Sequence, residues 1–219
     1  MNQPKPPWLH VSQWRDAERD ILQILQAAVK LRDGVVADLS HPHDDALSRG
    51  VTFFVRWRGT IGDLSRTNKN IDIVDQQRAV FSISGVPVRL YRAHVEDPVP
   101  SRVVSMSKPE RRAIQLTLLG ALGFADAPAE EDLDDIDVPD VRLRIRAVPD
   151  ENEGIAEFIF EELDSETEAR WEWSIRAGDV PTKFQPVVSR AREPVKQESP
   201  KVRLRLAHDK SAKNDNEDT

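Results

Sequence analysis

The stretch that decides the fold is residues 141–163, VRLRIRAVPDENEGIAEFIFEEL. Its first seven residues alternate apolar and arginine side chains, and a period of two is typical of a β-strand with one buried face. The turn residues Pro149–Gly154 separate this strand from a second one at Ile155–Leu163, so the pattern predicts an antiparallel hairpin. The next alternating segment, Arg170–Arg176, predicts a third strand whose tryptophans cover the apolar face of the hairpin.

The register of the hairpin follows from matching both of its faces. We expect Val148 to pair with Ile155. This alignment sets arginines opposite glutamates on one face and aliphatic side chains opposite phenylalanines on the other: Arg146–Glu157, Arg142–Glu161, Ile145–Phe158 and Leu143–Phe160.

The front half of the chain mixes helical and strand patterns. Apolar residues spaced by three and four predict a helix over Gln13–Arg32, with Gly34 as its C-cap, and the Ser107-Lys108-Pro109-Glu110 sequence predicts the start of another helix that ends near Gly123. Short apolar runs predict strands at Val35–Leu39, Val51–Arg58, Ile71–Val74, Ala79–Ser84 and Val86–Tyr91, and Thr60–Asn70 reads as a loop.

These elements predict an α+β protein in which two helices pack on a mostly antiparallel sheet, followed by a small antiparallel β module. The predicted divisions of the chain are an extended N-terminal arm (1–11) that Trp8 anchors, a core module (12–125), an acidic linker (126–140), a β module (141–208) and a disordered tail (209–219). The β module contains an irregular stretch at about 178–200, and Val202–His208 repeats the pattern of its first strand.

Charge is distributed unevenly along the chain. Residues 1–125 hold 17 basic and 13 acidic side chains, a net charge of +4, whereas residues 126–219 hold 14 and 25, a net charge of −11. The segment 126–140 alone has eight acidic residues and no basic one. Two interpretations stay open: it is a solvated linker, or it folds back on the basic half and competes with a polyanionic ligand.

Several classes of protein are disfavoured by composition. The absence of cysteine excludes a disulfide scaffold, a thiolate metal site and a cysteine nucleophile. No window is apolar enough for a membrane helix, and residues 1–7 lack a secretory apolar core, so we expect a cytoplasmic protein without membrane contact. The chain has no phosphate-binding loop, dinucleotide fingerprint or nucleophile elbow, and we expect no cofactor.

Two clusters are weak candidates for chemistry. His41 and His43, beside Asp44 and Asp45, are candidate metal ligands, but the alternative is that one of the aspartates caps a short helical turn. Asp72 and Asp75 flank a predicted strand and could hold Mg²⁺ in a nuclease, although the following residues lack the spaced Glu and Lys that such a site uses.

Basic residues of the front half form the larger candidate site. Arginine binds phosphate with two parallel hydrogen bonds, and the exposed aromatic rings expected at Phe54 and Tyr91 could stack on bases. The residues predicted to form an Arg-rich sheet surface that contacts a partner protein or nucleic acid are Arg56, Arg58, Arg66, Lys69, Arg89, Arg92, Arg111 and Arg112.

The sequence favours a non-enzymatic binding or accessory protein of a bacterial multi-component system, with a protein partner and a second contact to nucleic acid. The alternative is a metal-dependent nuclease or another hydrolase whose site is assembled from distant residues.

Overall fold

The computed structural model describes residues 5–93, 106–121, 142–164 and 168–181, and the side chains of the second range up to residue 117. The helices are α1 (Pro7–His10), α2 (Glu18–Asp38), α3 (Ala46–Thr67) and α4 (Lys108–Ala121), with 3₁₀ turns at Ser12–Trp14 and Ala177–Asp179. The strands are β1 (Ile71–Asp75), β2 (Val80–Ile83), β3 (Val86–Arg92), β4 (Arg142–Pro149), β5 (Ile155–Leu163) and β6 (Ala169–Arg176). None of these helices is long and apolar enough to cross a bilayer.

The six strands form one sheet in chain order, β1 to β6. Every neighbouring pair is antiparallel except β3 and β4, which are parallel. Parallel neighbours need a crossover connection, and α4 lies between them in the chain, so β3, α4 and β4 form a βαβ unit. The α+β class is confirmed. The strands predicted for the core module and for the β module are joined through this parallel pair into a single sheet.

The two faces of the sheet differ in chemistry. One face supplies the main apolar core, where Phe81, Ile145 and Phe160 pack with Ile21 and Leu25 of α2. The other face carries the arginines of β4 and faces α4, because side chains of a strand alternate between faces. The tryptophans of β6 cover the apolar face of the hairpin as predicted, since the rings of Trp173 and Phe160 lie 5.5 Å apart.

The first helix differs from its prediction. Residues 12–14 form a 3₁₀ turn, and α2 begins at Glu18 and continues through Gly34 to Asp38. Val35 extends the buried stripe of α2 by two turns beyond Ala28, and Gly34 lies exposed on the opposite side, where a glycine lowers helix stability without ending the helix. The prediction of a strand at Val35–Leu39 and of a C-cap at Gly34 was therefore wrong.

The strand predicted at Val51–Arg58 was also wrong, because these residues lie inside α3. Asp45 is the N-cap, its carboxylate accepts a hydrogen bond from the Ser48 N–H at 2.7 Å, and the Ser48 hydroxyl accepts from the Asp45 N–H. This capping box starts a helix that continues to Thr67, so most of the predicted loop at 60–70 is helical as well. The predicted cap by an aspartate beside the histidines is confirmed, but it begins a helix of 22 residues instead of the short turn that was predicted.

The later elements follow their predictions closely. Strands β1, β2, β3 and β6 are confirmed, as is the helix that Ser107 caps through the Glu110 N–H at 3.3 Å. Ser84 and Gly85 both have positive φ and form the two-residue turn between β2 and β3. The predicted end near Gly123 lies outside the described residues.

The β4–β5 hairpin is confirmed, but its register is shifted by two residues. Ile145 pairs with Phe160 instead of Phe158, and Arg144 instead of Arg142 pairs with Glu161. A bulge at Val148 and Pro149 aligns Pro149 with Ile155, which produces the shift. A shift by two keeps every side chain on its predicted face, so the alternation alone could not distinguish the two registers.

The N-terminal arm has one helical turn, α1, where an extended chain was predicted. Trp8 is anchored as expected: its ring lies 5.3 Å from that of Trp173, and the His10 ring stacks on Trp171 at 4.2 Å. The predicted acidic linker 126–140, the strand Val202–His208 and the tail 209–219 lie outside the described residues.

A buried ion pair ties α4 to the sheet. The Arg144 guanidinium lies 2.9 Å from the Glu110 carboxylate, and the two side chains are 1% and 3% exposed. Burial lowers the pKa of Arg144, and the charge of Glu110 opposes that shift. Nε and Nη2 of Arg144 have no hydrogen-bond acceptor among the residues that the structure describes, so Glu110 carries most of the compensation for the buried charge.

We expect Glu110→Gln and Arg144→Met each to lower the free energy of unfolding by about 3–5 kcal/mol, because each leaves one buried charge without its partner. The double variant should lose much less than the sum of the two, since it buries no unpaired charge. Urea denaturation of the four proteins measures this coupling. The exposed Asp63–Arg66 pair is the control, and Arg66→Met should change stability by less than about 0.5 kcal/mol. If the losses of unfolding free energy in the two single variants simply add in the double variant, Glu110 and Arg144 do not act as a buried ion pair.

Candidate protein-binding surface

Helix α3 exposes an apolar stripe on its N-terminal half. Leu47, Val51, Phe54 and Val55 are 73%, 55%, 37% and 59% exposed. Their spacing of four, three and one residues places them on one side of the helix. They are four of the six large apolar side chains that are exposed in the described part of the chain. We call these four residues the α3 stripe.

The α3 stripe is separate from the face that anchors α3 to the protein. Phe53, Trp57 and Ile61 point toward the core, the Phe53 and Trp57 rings stack at 6.1 Å, and Trp57 meets Phe81 edge to face at 6.0 Å. A surface helix needs one apolar face for folding. The stripe is a second apolar face, and none of its four side chains is buried in the core of the described residues.

Charges of opposite sign lie at the two ends of the stripe. Asp44 and Asp45 precede it, and hydrogen bonds from Ser48 lower the pKa of the Asp45 carboxyl, which stays ionised. Arg58 follows the stripe on the same side of the helix. Within the described ranges no carboxylate pairs with Arg58, and its Nε atom is buried without an acceptor. Arg56 differs, because it is paired with Asp38 at 2.6 Å.

The predicted basic residues lie on three different elements. Arg56, Arg58 and Arg66 are on α3, so they do not belong to a sheet, and Lys69 lies in the turn after it. Arg111 and Arg112 are exposed on α4. Arg89 and Arg92 are on β3 but project from opposite faces, because they are three residues apart. The structure therefore does not bring this set together on one side of the sheet.

Several of these arginines contact carboxylates of the same chain. Arg66 pairs with Asp63 one turn earlier on α3. Burial lowers the pKa of Arg89, and the nearby Glu110 carboxylate opposes this shift. Arg92 approaches Glu153 at 3.6 Å.

Glu153 contacts three arginines, and the sequence pattern did not predict these contacts. Its carboxylate lies 3.0 Å from Arg32, 3.1 Å from Arg49 and 3.6 Å from Arg92, so α2, α3 and β3 all meet the β4–β5 turn there. Arg32 also donates to the Glu153 carbonyl at 2.6 Å, and burial lowers its pKa. The Glu153 carboxylate occupies the position that an external anion would take, so this cluster serves the fold.

The candidate metal ligands are used locally. The His41 and His43 rings lie 5.0 Å apart, and the His43 N–H donates to Nδ1 of His41 at 3.2 Å. Asp44 accepts from the His41 N–H at 2.9 Å. Across the ranges that the structure describes, no group of three or more His, Asp or Glu side chains is arranged to hold a metal.

The structure separates the two candidate catalytic aspartates. Asp72 lines an open groove of about 670 Å³ between α4 and the first two strands, together with Ser82 and Arg112. Asp75 is not part of this lining, and its carboxylate accepts a hydrogen bond from the Arg78 N–H at 3.1 Å in the turn after β1. One carboxylate in an otherwise largely apolar groove does not form a metal-ion site.

A second buried acid lies on the arginine face of the sheet. The Tyr91 hydroxyl donates to Oε2 of Glu161 at 2.7 Å, and the Arg146 guanidinium contacts the other carboxylate oxygen. Burial raises the pKa of Glu161, while Tyr91 and Arg146 oppose this shift. Burial and the neighbouring carboxylate also raise the pKa of Tyr91. This network lies against neighbouring strands and stabilises the sheet.

Comparison of the chain with models of protein families, with curated proteins and with solved structures finds no significant match. Among the surface features of the described residues, the α3 stripe holds most of the exposed large apolar side chains, whereas several of the predicted arginines and the histidine loop make contacts within the chain.

Sequence reasoning missed the stripe because residues 51–58 were read with a period of two. Two signals for a helix were present in the sequence. Asp45-Ala46-Leu47-Ser48 is a capping sequence, and the segment Val51–Val55 has more apolar residues than one face of a helix can hold.

Removing the Tyr91 hydroxyl tests the Glu161 network. Tyr91→Phe should raise the pKa of Glu161 further, because the carboxylate loses a donor. The free energy of unfolding should fall by about 1–3 kcal/mol near pH 7. This loss should shrink as the pH is lowered through the raised pKa of Glu161, since the protonated acid no longer needs the donor.

Urea denaturation of wild type and variant at several pH values gives the difference. Glu172→Gln is the control, because Glu172 contacts Arg146 only at 3.4 Å and is half exposed, and we expect a change below about 0.5 kcal/mol. A loss for Tyr91→Phe that does not depend on pH would contradict the assignment.

Proposed function

We propose that this protein is a non-catalytic binding protein, an accessory component of a larger assembly, which docks another polypeptide on the α3 stripe. The observation that carries the proposal is the exposure of four neighbouring apolar side chains on a helix whose opposite side already supplies the core. Contiguous apolar surface of this kind marks interaction sites on soluble proteins.

The energetic argument supports a helix or a similar ridge as the partner element. Fully burying a Val, Leu or Phe side chain contributes about 1.5–3 kcal/mol, so covering the stripe offers several kcal/mol toward binding. Apolar residues at positions i, i+4, i+7 and i+8 form one continuous stripe along the helix, and such a stripe packs along the side chains of a second helix. Arg58, which has no carboxylate partner in the described part of the chain, adds a point of specificity for a carboxylate on the partner.

Two other functions have less support. Nucleic-acid binding through α3 would have to use Arg58 and Arg66 in its C-terminal half and Lys69 just after it, but Arg66 is already paired. A metal-dependent nuclease would have to work with Asp72 as the carboxylate of the groove. Cleavage of a nucleic-acid substrate that requires Mg²⁺ and is abolished by Asp72→Ala would favour the nuclease over the binding protein.

Site-specific photo-crosslinking in cells tests the proposed surface. A photoreactive residue at position 51 should give a crosslinked product larger than the chain itself. The same photoreactive residue at position 18 should give no such product. Glu18 is exposed at the start of α2, and this part of α2 lies near Asn68, beyond the C-terminal end of α3, whereas the stripe lies on the N-terminal half of α3. Adding Val55→Glu to the position-51 protein should remove the product, because a charge would be buried against the partner.

Val55→Glu should leave folding intact, since Val55 is 59% exposed and surface changes usually alter stability by less than about 0.5 kcal/mol. Circular dichroism and thermal unfolding check this. If position 51 gives no more product than position 18, the α3 stripe is not a binding surface and the proposal is wrong.

A further inference from the structure

We propose that the partner on the α3 stripe is a second copy of this chain, with the two α3 helices packed antiparallel about a two-fold axis near Val51. This inference rests on the proposed function, because it names the partner of the same surface. A two-fold interface requires a surface that is complementary to itself, and the stripe meets that condition.

The apolar part of the stripe is symmetric about Val51. Leu47 lies four residues before Val51 and Val55 four residues after it, each about 6 Å along the helix axis at a rise of 1.5 Å per residue. In an antiparallel pair, Val51 therefore meets Val51 of the second copy, and Leu47 meets Val55. Phe54 fills the space beside Leu47 of the other helix.

The charged ends have the same symmetry. Arg58 lies seven residues after Val51, and the acidic residues Asp44 and Asp45 lie seven and six residues before it. The antiparallel arrangement brings each Arg58 to the acidic end of the other helix, whereas a parallel one would bring like charges together. This complementarity gives a partner to a guanidinium that has none within the described part of its own chain.

The size of the stripe predicts a weak complex. A stable dimer buries roughly 800 Å² on each partner, and four side chains of this size supply less than that. We therefore expect self-association with a dissociation constant in the micromolar range, so that monomer and dimer exchange as the concentration changes.

Sedimentation of the purified full chain tests the inference first. The wild type should shift from monomer to dimer between about 1 µM and about 1 mM, the range in which complexes of this strength form. Val51→Lys should remain monomeric over that range, because two like charges would meet on the axis. Arg66→Glu is the matched control on the same helix, outside the stripe, and should still dimerise.

Reversal of charge tests the antiparallel geometry. Arg58→Glu leaves acidic residues at both ends of the stripe, and Asp44→Lys with Asp45→Asn leaves basic ones, so each variant alone should dimerise at least tenfold more weakly than wild type. Asn retains the N-cap role of residue 45. An equimolar mixture should recover the dimer, because the glutamate introduced at position 58 then faces the lysine introduced at position 44. At the other end of the mixed dimer, the native Arg58 faces the native Asp44 and Asp45.

The outcomes separate this inference from the function on which it rests. A wild type that stays monomeric at about 1 mM, while position 51 still crosslinks to a different protein, would overturn self-association and keep the binding surface. Dimerisation that Val51→Lys leaves unchanged would place the dimer interface elsewhere and overturn self-association through the stripe, while the crosslink at position 51 would still decide whether the stripe binds another protein. Failure of the charge-reversed mixture to recover, with Val51→Lys still monomeric, would reject the antiparallel arrangement.

Discussion

The Arg144 guanidinium lies in the middle of a sheet, where water does not reach it, and Glu110 is the carboxylate that neutralises it. An isolated charge in such a place is very costly, so the position of α4 on that face is tied to the strand that carries Arg144. The pairing has a topological consequence. It closes the crossover from β3 through α4 to β4, and the strands before and after α4 become neighbours in one sheet.

The same pairing of arginine with carboxylate recurs elsewhere among the described residues. Arg32 and Arg49 converge on Glu153, and Arg146 contacts Glu161. The charge asymmetry of the chain is thereby partly cancelled inside the fold, since basic residues of the front half pair with an acid of the rear half and Glu110 pairs with an arginine of the rear half. A net charge counted along the sequence consequently overstates the potential that a partner would meet.

Helix α3 has two apolar faces, of which one stabilises the fold and the other is exposed to a binding partner. The side with Trp57 and Ile61 packs into the core, so the other side can vary without unfolding the protein. A stripe that is symmetric about Val51 and carries opposite charges at its ends suits an identical helix running the other way. Regulation by concentration follows from such an arrangement, because the small area keeps the complex reversible.

By itself the sequence determined the α+β class, the strands of the sheet, the cap of α4 and the faces of the β4–β5 hairpin, because alternation and capping are local signals. Its own pattern also contained the α3 stripe, but the apolar run at 51–55 fits a period of two as well as a helix, and only packing of Trp57 against Phe81 decides between them. Tertiary structure alone decided the register of the hairpin, the parallel joining of β3 to β4, and which arginines are neutralised. These depend on residues far apart in the chain, such as Glu110 and Arg144 or Arg32 and Glu153, whose proximity no local spacing encodes.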